Sequence, residues 1–143
     1  MADVVFLVDA DSISKTRTDV SVGNHIFSID EPTRLGGTDA GPNPVEYMLG
    51  ALAGCLNVTG HVVAREMGFE IESMSIHLEG NLDPLVFMGK KQGMRAGFKE
   101  IRAHLDVESS ASDETLQEWA KAIETRCPVS DNLSNSTPIR ITF

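Results

Sequence analysis

Residues 43–68 read Asn-Pro-Val-Glu-Tyr-Met-Leu-Gly-Ala-Leu-Ala-Gly-Cys-Leu-Asn-Val-Thr-Gly-His-Val-Val-Ala-Arg-Glu-Met-Gly, and this stretch decides the fold class. Asn43 can cap a helix, Pro44 is tolerated at the first helical position, and Glu46, three residues after the cap, completes a capping box. The pattern predicts a helix running to about Met67, with Gly68 as its stop. Its Ala, Leu, Met and Val content is apolar on nearly every side, which predicts burial along most of its length. Gly50 and Gly54 are four apart, and Ala51, Ala53 and Gly60 are also small. Another backbone could approach closely there, within the chain or across a dimer, or the small residues could serve intrachain packing alone. Residues 47–64 lack any formal charge and so require testing as a bilayer span. Gly50, Gly54, Asn57, Thr59, Gly60 and His61 dilute the apolar content, which favours a central helix of a folded domain.

On either side of this helix the pattern changes to a period of two. Residues 4–7, 18–22 and 25–30 are short and β-branched, and turn residues separate them, predicting a three-stranded antiparallel start. Between these strands and the helix, Asp30-Glu31-Pro32 through Gly36-Gly37 to Gly41-Pro42 is dense in turn formers. A loop that long in a compact domain is a candidate wall for a site. After Gly68, the alternation in residues 71–78 and 101–107 predicts two paired strands with one wet face each. Residues 81–98, with Pro84 and three glycines, form a long irregular connection. Ser112-Asp113 caps a second helix whose stripe is Leu116, Trp119, Ala120, Ile123 and Cys127, and Pro128 ends it. The alternating tail, residues 138–143, suits a final strand. The order β-β-β-α-β-β-α-β is α+β, because strands come in runs and not one per helix.

The chain has 143 residues, which fits one domain spanning 1–143. Its 12 basic against 21 acidic residues give a net charge of −9, with no basic stripe for a phosphate backbone, so nucleic acid is excluded as a partner. A 41% hydrophobic share and a 23% charged share are globular values and argue against disorder. Five apolar residues, 4–8, are too few for a secretory signal and lack a basic lead, so the expected compartment is the cytoplasm, with no membrane association.

Two cysteines, Cys55 and Cys127, are separated by 72 positions without a CxxC, which fits neither a zinc ribbon nor a secreted disulfide framework. Cys55 sits mid-helix beside Ala51, Leu52, Val58 and Thr59. A free cysteine in such an apolar seat usually acts as a small hydrophobe, and reactivity would require a nearby cation to favour the thiolate. Arg65 is ten residues away along the same helix. Cys127 lies where the helix dipole disfavours an anion, which suits a resolving thiol better than an attacking one, although Arg126 adjoins it. His25, His61, His77 and His104 show no metal-ligand spacing, and no Ser-His-Asp signature or phosphate loop is present. No metal and no cofactor is expected.

Several ordered blocks carry a family resemblance. Asp30-Glu31-Pro32, Leu35-Gly36-Gly37-Thr38-Asp39, Gly41-Pro42-Asn43-Pro44-Val45-Glu46-Tyr47, Ala51-Leu52-Ala53-Gly54-Cys55, Arg95-Ala96-Gly97-Phe98-Lys99-Glu100-Ile101 and Arg126-Cys127-Pro128-Val129-Ser130-Asp131-Asn132-Leu133 resemble the OsmC/Ohr family from about Asp30 to the C-terminus. The resemblance implies an α+β OsmC-like fold, antiparallel sheets around two central helices, in an intertwined homodimer with active sites at the interface. It implies a thiol-dependent peroxidase for organic or inorganic hydroperoxides, in which Cys55 is peroxidatic, Cys127 is resolving, and a dithiol of lipoyl or thioredoxin type restores both thiols. In the organic-hydroperoxide members a Glu directly follows the loop Pro, and an Arg from the N-terminal hairpin region joins it over the reactive sulfur. Here Val45 follows Pro44. Glu46 stands nine residues before Cys55, about half a turn around the helix from it, so capping is its stronger role. Arg17 is the offered thiolate-activating arginine and Arg34 the second candidate; either could be a solvated surface charge. The alternative reading is a non-catalytic binding protein of the same fold, holding a small apolar or thiol-bearing ligand at the dimer interface.

Overall fold

A computed structural model describes residues 1–143, and the chain divides into two compact units, Met1–Met48 and Leu49–Phe143. The first unit is an antiparallel meander of β1 (Asp9–Ser12), β2 (Thr18–Val22) and β3 (His25–Ile29), in that order. Arg17 closes the first turn: its amide donates to Ser14 Oγ at 2.9 Å, and its carbonyl accepts from the Ile13 amide at 2.9 Å. That turn pairs Ser12 with Thr18 and Asp9 with Ser21. The first strand is therefore Asp9–Ser12 and not the apolar residues 4–7. Turn geometry sets the register, and residues 4–8 run past the partner strand with their side chains exposed.

The loop after β3 is organised by one carboxylate. Asp30 is fully buried and accepts from the amides of Glu31 (2.8 Å), Thr38 (3.0 Å) and Ala40 (3.2 Å) and from the Thr38 hydroxyl (2.6 Å). A short 3-10 turn, Thr33–Leu35, ends at Gly36, whose φ of 88° only glycine adopts freely. Where Gly37 and Gly41 stand, a Cβ would lie 1.8 Å from the Glu31 carbonyl and 2.1 Å from that of Ser28. The loop then enters α1 (Pro44–Glu66) through the expected capping box: the Glu46 amide donates to Asn43 Oδ1 at 3.0 Å, and the Asn43 amide donates to Glu46 Oε2 at 2.8 Å. Tyr47 stacks on Phe27, and its hydroxyl donates to the Ser28 carbonyl at 2.8 Å.

The second unit holds the rest of α1, β4 (Ile71–Asn81), α2 (Pro84–Phe87), β5 (Glu100–Ser109), α3 (Asp113–Arg126) and α4 (Pro128–Ser134). Gly68, with φ of 82°, stops α1, and the Phe69 amide returns to the Ala64 carbonyl at 3.0 Å. The two predicted strands pair antiparallel and are longer than expected, running from Ile71 opposite Ser109 to Asn81 opposite Glu100. Their apolar residues Met74, Ile76, Leu78, Ile101, Leu105 and Val107 pack on a core of Leu52, Leu56, Val63, Ala64, Trp119, Ile123 and Cys127. Trp119 donates Nε1–H to the Gly60 carbonyl at 2.8 Å, and its ring edge is 3.1 Å from the space a Gly60 Cβ would fill. Gly60 therefore serves close helix packing.

Four expectations need correction. Helix α1 is not buried through most of its length: only Leu52, Leu56, Gly60, Val63 and Ala64 are, because α3 and a two-stranded sheet cover one face. Val58 is 63% exposed, and Gly50 and Gly54 face open space. Its mean hydropathy of 1.3 over 18 residues also makes it long and apolar enough to cross a bilayer by composition, so its polar residues dilute it less than expected. On α3, Ala120 is exposed and Ala122 packs on the core in its place. Pro128 ends α3 as expected and also opens α4, as proline at a first helical position can. Finally, residues 138–143 form no strand, since a strand needs a neighbour for its backbone groups.

Candidate active site

The fold brings together the two thiols that the sequence separates. Cys55 projects from α1 and is half-buried; its sulfur lies 4.0 Å from the Thr59 hydroxyl one turn on. Cys127 is completely buried at the junction of α3 and α4. Its sulfur is 2.7 Å from that of Cys55, and both are free thiols, with Cys127 donating. The junction places Cys127: its amide donates to the Ile123 carbonyl at 3.0 Å, closing α3. Its sulfur accepts from the Ser130 amide at 3.4 Å, capping α4.

This environment distinguishes the two sulfurs. Burial, and then the hydrogen bond to Cys55, hold the Cys127 thiol above its ordinary pKa, with the Ser130 amide acting in the opposite sense. Cys127 thus stays protonated at neutral pH. A thiol held neutral beside a second sulfur is suited to donate a proton or to attack an oxidised neighbour, not to be the first nucleophile.

The other site candidates occupy defined positions. Glu46 is spent on the Asn43 capping box. Arg17 is committed to Asp19, with its Nε 2.9 Å from Oδ1 and Nη2 3.0 Å from Oδ2, and Ser28 donates to the same carboxylate at 2.8 Å. That pairing raises the Arg17 pKa and lowers that of Asp19. Arg34 lies exposed in the 3-10 turn. Arg126, next to Cys127, makes an exposed two-pronged pair with Glu66, one arm at 3.1 Å. His77 and His104 stand directly opposite each other across β4 and β5, a pairing that the sequence spacing did not reveal. No group of three His, Cys, Asp or Glu side chains converges to hold a metal ion.

Three residues of consequence escaped the reading of the sequence. Asp30 carries no structural role of its own there, although an Asp followed by a Gly- and Thr-rich stretch is a signal for a carboxylate that gathers loop amides. Ser130 is found only once Cys127 is known to cap a further helix. Glu66 gives no local signal for its pairing with a residue 60 positions away.

The chain and its fold have known relatives. Residues 37–142 match the family model described as OsmC-like protein. The uncharacterized protein YmaD of Bacillus subtilis is 36% identical over 96 residues, covering 64% of this chain and 63% of that protein, under two thirds of its length. Among solved structures, an OsmC like protein from Mycoplasma pneumoniae superposes with a TM-score of 0.81 at 19% identity, over 93% of this chain and 89% of the other. An organic hydroperoxide resistance protein OsmC from Legionella pneumophila gives 0.69 at 18% identity over 93% and 91%. The organic hydroperoxide resistance protein OhrB of Bacillus subtilis gives 0.57 at 24% identity over 90% and 89%. At these identities the structures establish the α+β fold with antiparallel sheets, and the family match, over well more than half of the chain, makes this protein a member of the OsmC-like family.

Proposed function

We propose that this protein is a thiol-dependent peroxidase that reduces organic or inorganic hydroperoxides in defence against oxidative stress. The observation that carries the reading is the 2.7 Å approach of the Cys55 and Cys127 sulfurs. In the first step the Cys55 thiolate attacks the distal oxygen of a hydroperoxide, the O–O bond breaks, and the alcohol leaves with a proton. Cys55 is then a sulfenic acid. Cys127 attacks that sulfur, a disulfide forms, and water leaves. A dithiol of lipoyl or thioredoxin type exchanges with the disulfide, restoring both thiols and leaving its own sulfurs oxidised. A pair that cycles in this way suits a reducing compartment, the cytoplasm.

The working form in this reading is a homodimer. Val58, Gly50 and Gly54 leave one face of α1 open, and the apolar residues 4–8, Ile139, Ile141 and Phe143 are exposed and lie outside any strand. A second copy of this chain would cover both features. A non-catalytic binding role at the same interface is the second reading, and Val45 in the position after Pro44 favours it.

The deciding experiment treats reduced protein with cumene hydroperoxide or with hydrogen peroxide, counts free thiols and maps disulfides by mass spectrometry, with Cys55→Ser as control. Rapid loss of both thiols as a Cys55–Cys127 bond, absent in the variant, supports the peroxidase and ranks the two oxidants. Survival of both thiols in excess peroxide rejects it in favour of ligand binding.

A further inference from the structure

The connection between β4 and β5 stands apart from the rest of the chain in charge. Residues 84–99 carry Lys90, Lys91, Arg95 and Lys99 and no carboxylate, so all 21 acidic residues lie elsewhere. Nearly every residue of this strap is exposed. Phe87 is 83% exposed, and Leu85, Met88 and Met94 stand out beside it.

The strap is nonetheless anchored. Asp83 caps α2 through the Leu85 amide at 3.1 Å and holds Lys91 at 2.7 Å. The Lys99 amide closes the far end on the Asn81 carbonyl at 2.9 Å, and the Phe98 ring fills the space above Gly80, where a Cβ would come within 2.8 Å of it. Lys90, Arg95 and Lys99 form no ion pair. Three unpaired cations and an exposed aromatic are thus presented on a strap anchored at both ends, in the unit that also holds the two thiols.

We propose that this strap is the docking surface for an acidic folded protein that carries the reducing dithiol. The inference rests on the peroxidase reading and names where its reductant binds. A chain of net charge −9 repels an acidic partner over most of its surface, whereas the strap gathers four cations without a carboxylate over residues 84–99. Charge complementarity of this kind steers encounter, and the exposed Phe87, Met88 and Leu85 supply the apolar contact that follows. A compact acidic face can seat on the strap alone. An anionic membrane is a plane, and would bring the surrounding carboxylates within range of its charge as well.

The test uses the full chain with the Cys55–Cys127 disulfide formed by diamide, and follows its reduction by dithiothreitol, reduced thioredoxin and a reduced acidic lipoyl domain. Wild type is compared with the triple variant Lys90→Ser, Arg95→Ser, Lys99→Ser. The expected result is a roughly 10-fold slower reduction of the variant by at least one protein donor at low salt, convergence with wild type at high salt, and equal rates with dithiothreitol. Equal rates for both chains with both protein donors overturn the proposal. So does a variant whose only defect is lost binding to vesicles of phosphatidylserine and phosphatidylcholine, which assigns the strap to membranes. Because diamide replaces peroxide, a peroxide-inert protein still reports on docking, and the two readings fail separately.

Discussion

The sulfurs of Cys55 and Cys127 are neighbours at 2.7 Å although 72 residues separate them, and Cys127 is the fully buried, proton-holding member of the pair. That asymmetry predicts different outcomes for the two serine variants. Cys55→Ser should abolish peroxide consumption. Cys127→Ser should leave a single oxidation at Cys55, trapped as a dimedone adduct, with catalytic turnover reduced at least about 100-fold because the sulfenic acid has no resolving partner. Mass spectrometry of both variants after one equivalent of cumene hydroperoxide checks this. An adduct on Cys127 in the Cys55→Ser protein would reverse the assigned roles.

Asp30 provides a pH prediction. The Thr38 hydroxyl, followed by the Ala40 amide, the Thr16 hydroxyl and the Thr38 amide, holds its carboxyl far below the ordinary value of 3.8, and burial opposes them. A depressed folded-state pKa contributes stability that is complete above the unfolded value and is lost as pH falls toward the folded one. Asp30→Asn should therefore melt several degrees below wild type at pH 7. The gap should narrow as pH is lowered through 4 to 3, since the wild-type carboxylate increasingly loses its advantage. A gap that stays constant with pH would show that the ionised form adds nothing.

The glycines separate into two groups with opposite expectations. Gly37→Ala and Gly41→Ala drive a Cβ to within 1.8 and 2.1 Å of backbone carbonyl oxygens, and each should cost more than about 2 kcal/mol by denaturant unfolding. Gly54 faces open space, so Gly54→Ala should not harm the folding of a single chain, where alanine is favoured over glycine in a helix by about 1 kcal/mol. Gly54→Leu should weaken the proposed dimer. Light scattering against protein concentration measures this, and an unchanged dimer would remove the exposed face of α1 from the interface.

Trp119 ties α3 to α1 through the Gly60 carbonyl at 2.8 Å while packing edge-on against Phe69. Trp119→Phe keeps most of the ring and removes the donor, leaving a buried carbonyl short of a partner, and should cost about 1–2 kcal/mol. Trp119→Ala opens a cavity in the core and should cost about 3–5 kcal/mol. The same cavity should loosen the seating of Cys127, visible as faster alkylation of its thiol.

Much of this protein is determined by local sequence. The capping box at Asn43 and Glu46, the Gly68 stop, the paired strands β4 and β5 and the core-facing stripe of Leu116, Trp119 and Ile123 follow from capping chemistry and periodicity, which act over a few residues. The tertiary structure decided what depends on a distant partner. A strand exists only where a neighbour accepts its hydrogen bonds, so the apolar residues 4–7 and the alternating tail are strands by propensity alone, while Asp9–Ser12 pairs because its turn sets the register. The juxtaposition of Cys55 and Cys127, the pairing of Glu66 with Arg126 and the opposition of His77 and His104 have no local signature, since each requires elements far apart in the chain to pack. The sequence supplied two thiols, and packing of α3 on α1 made them a pair.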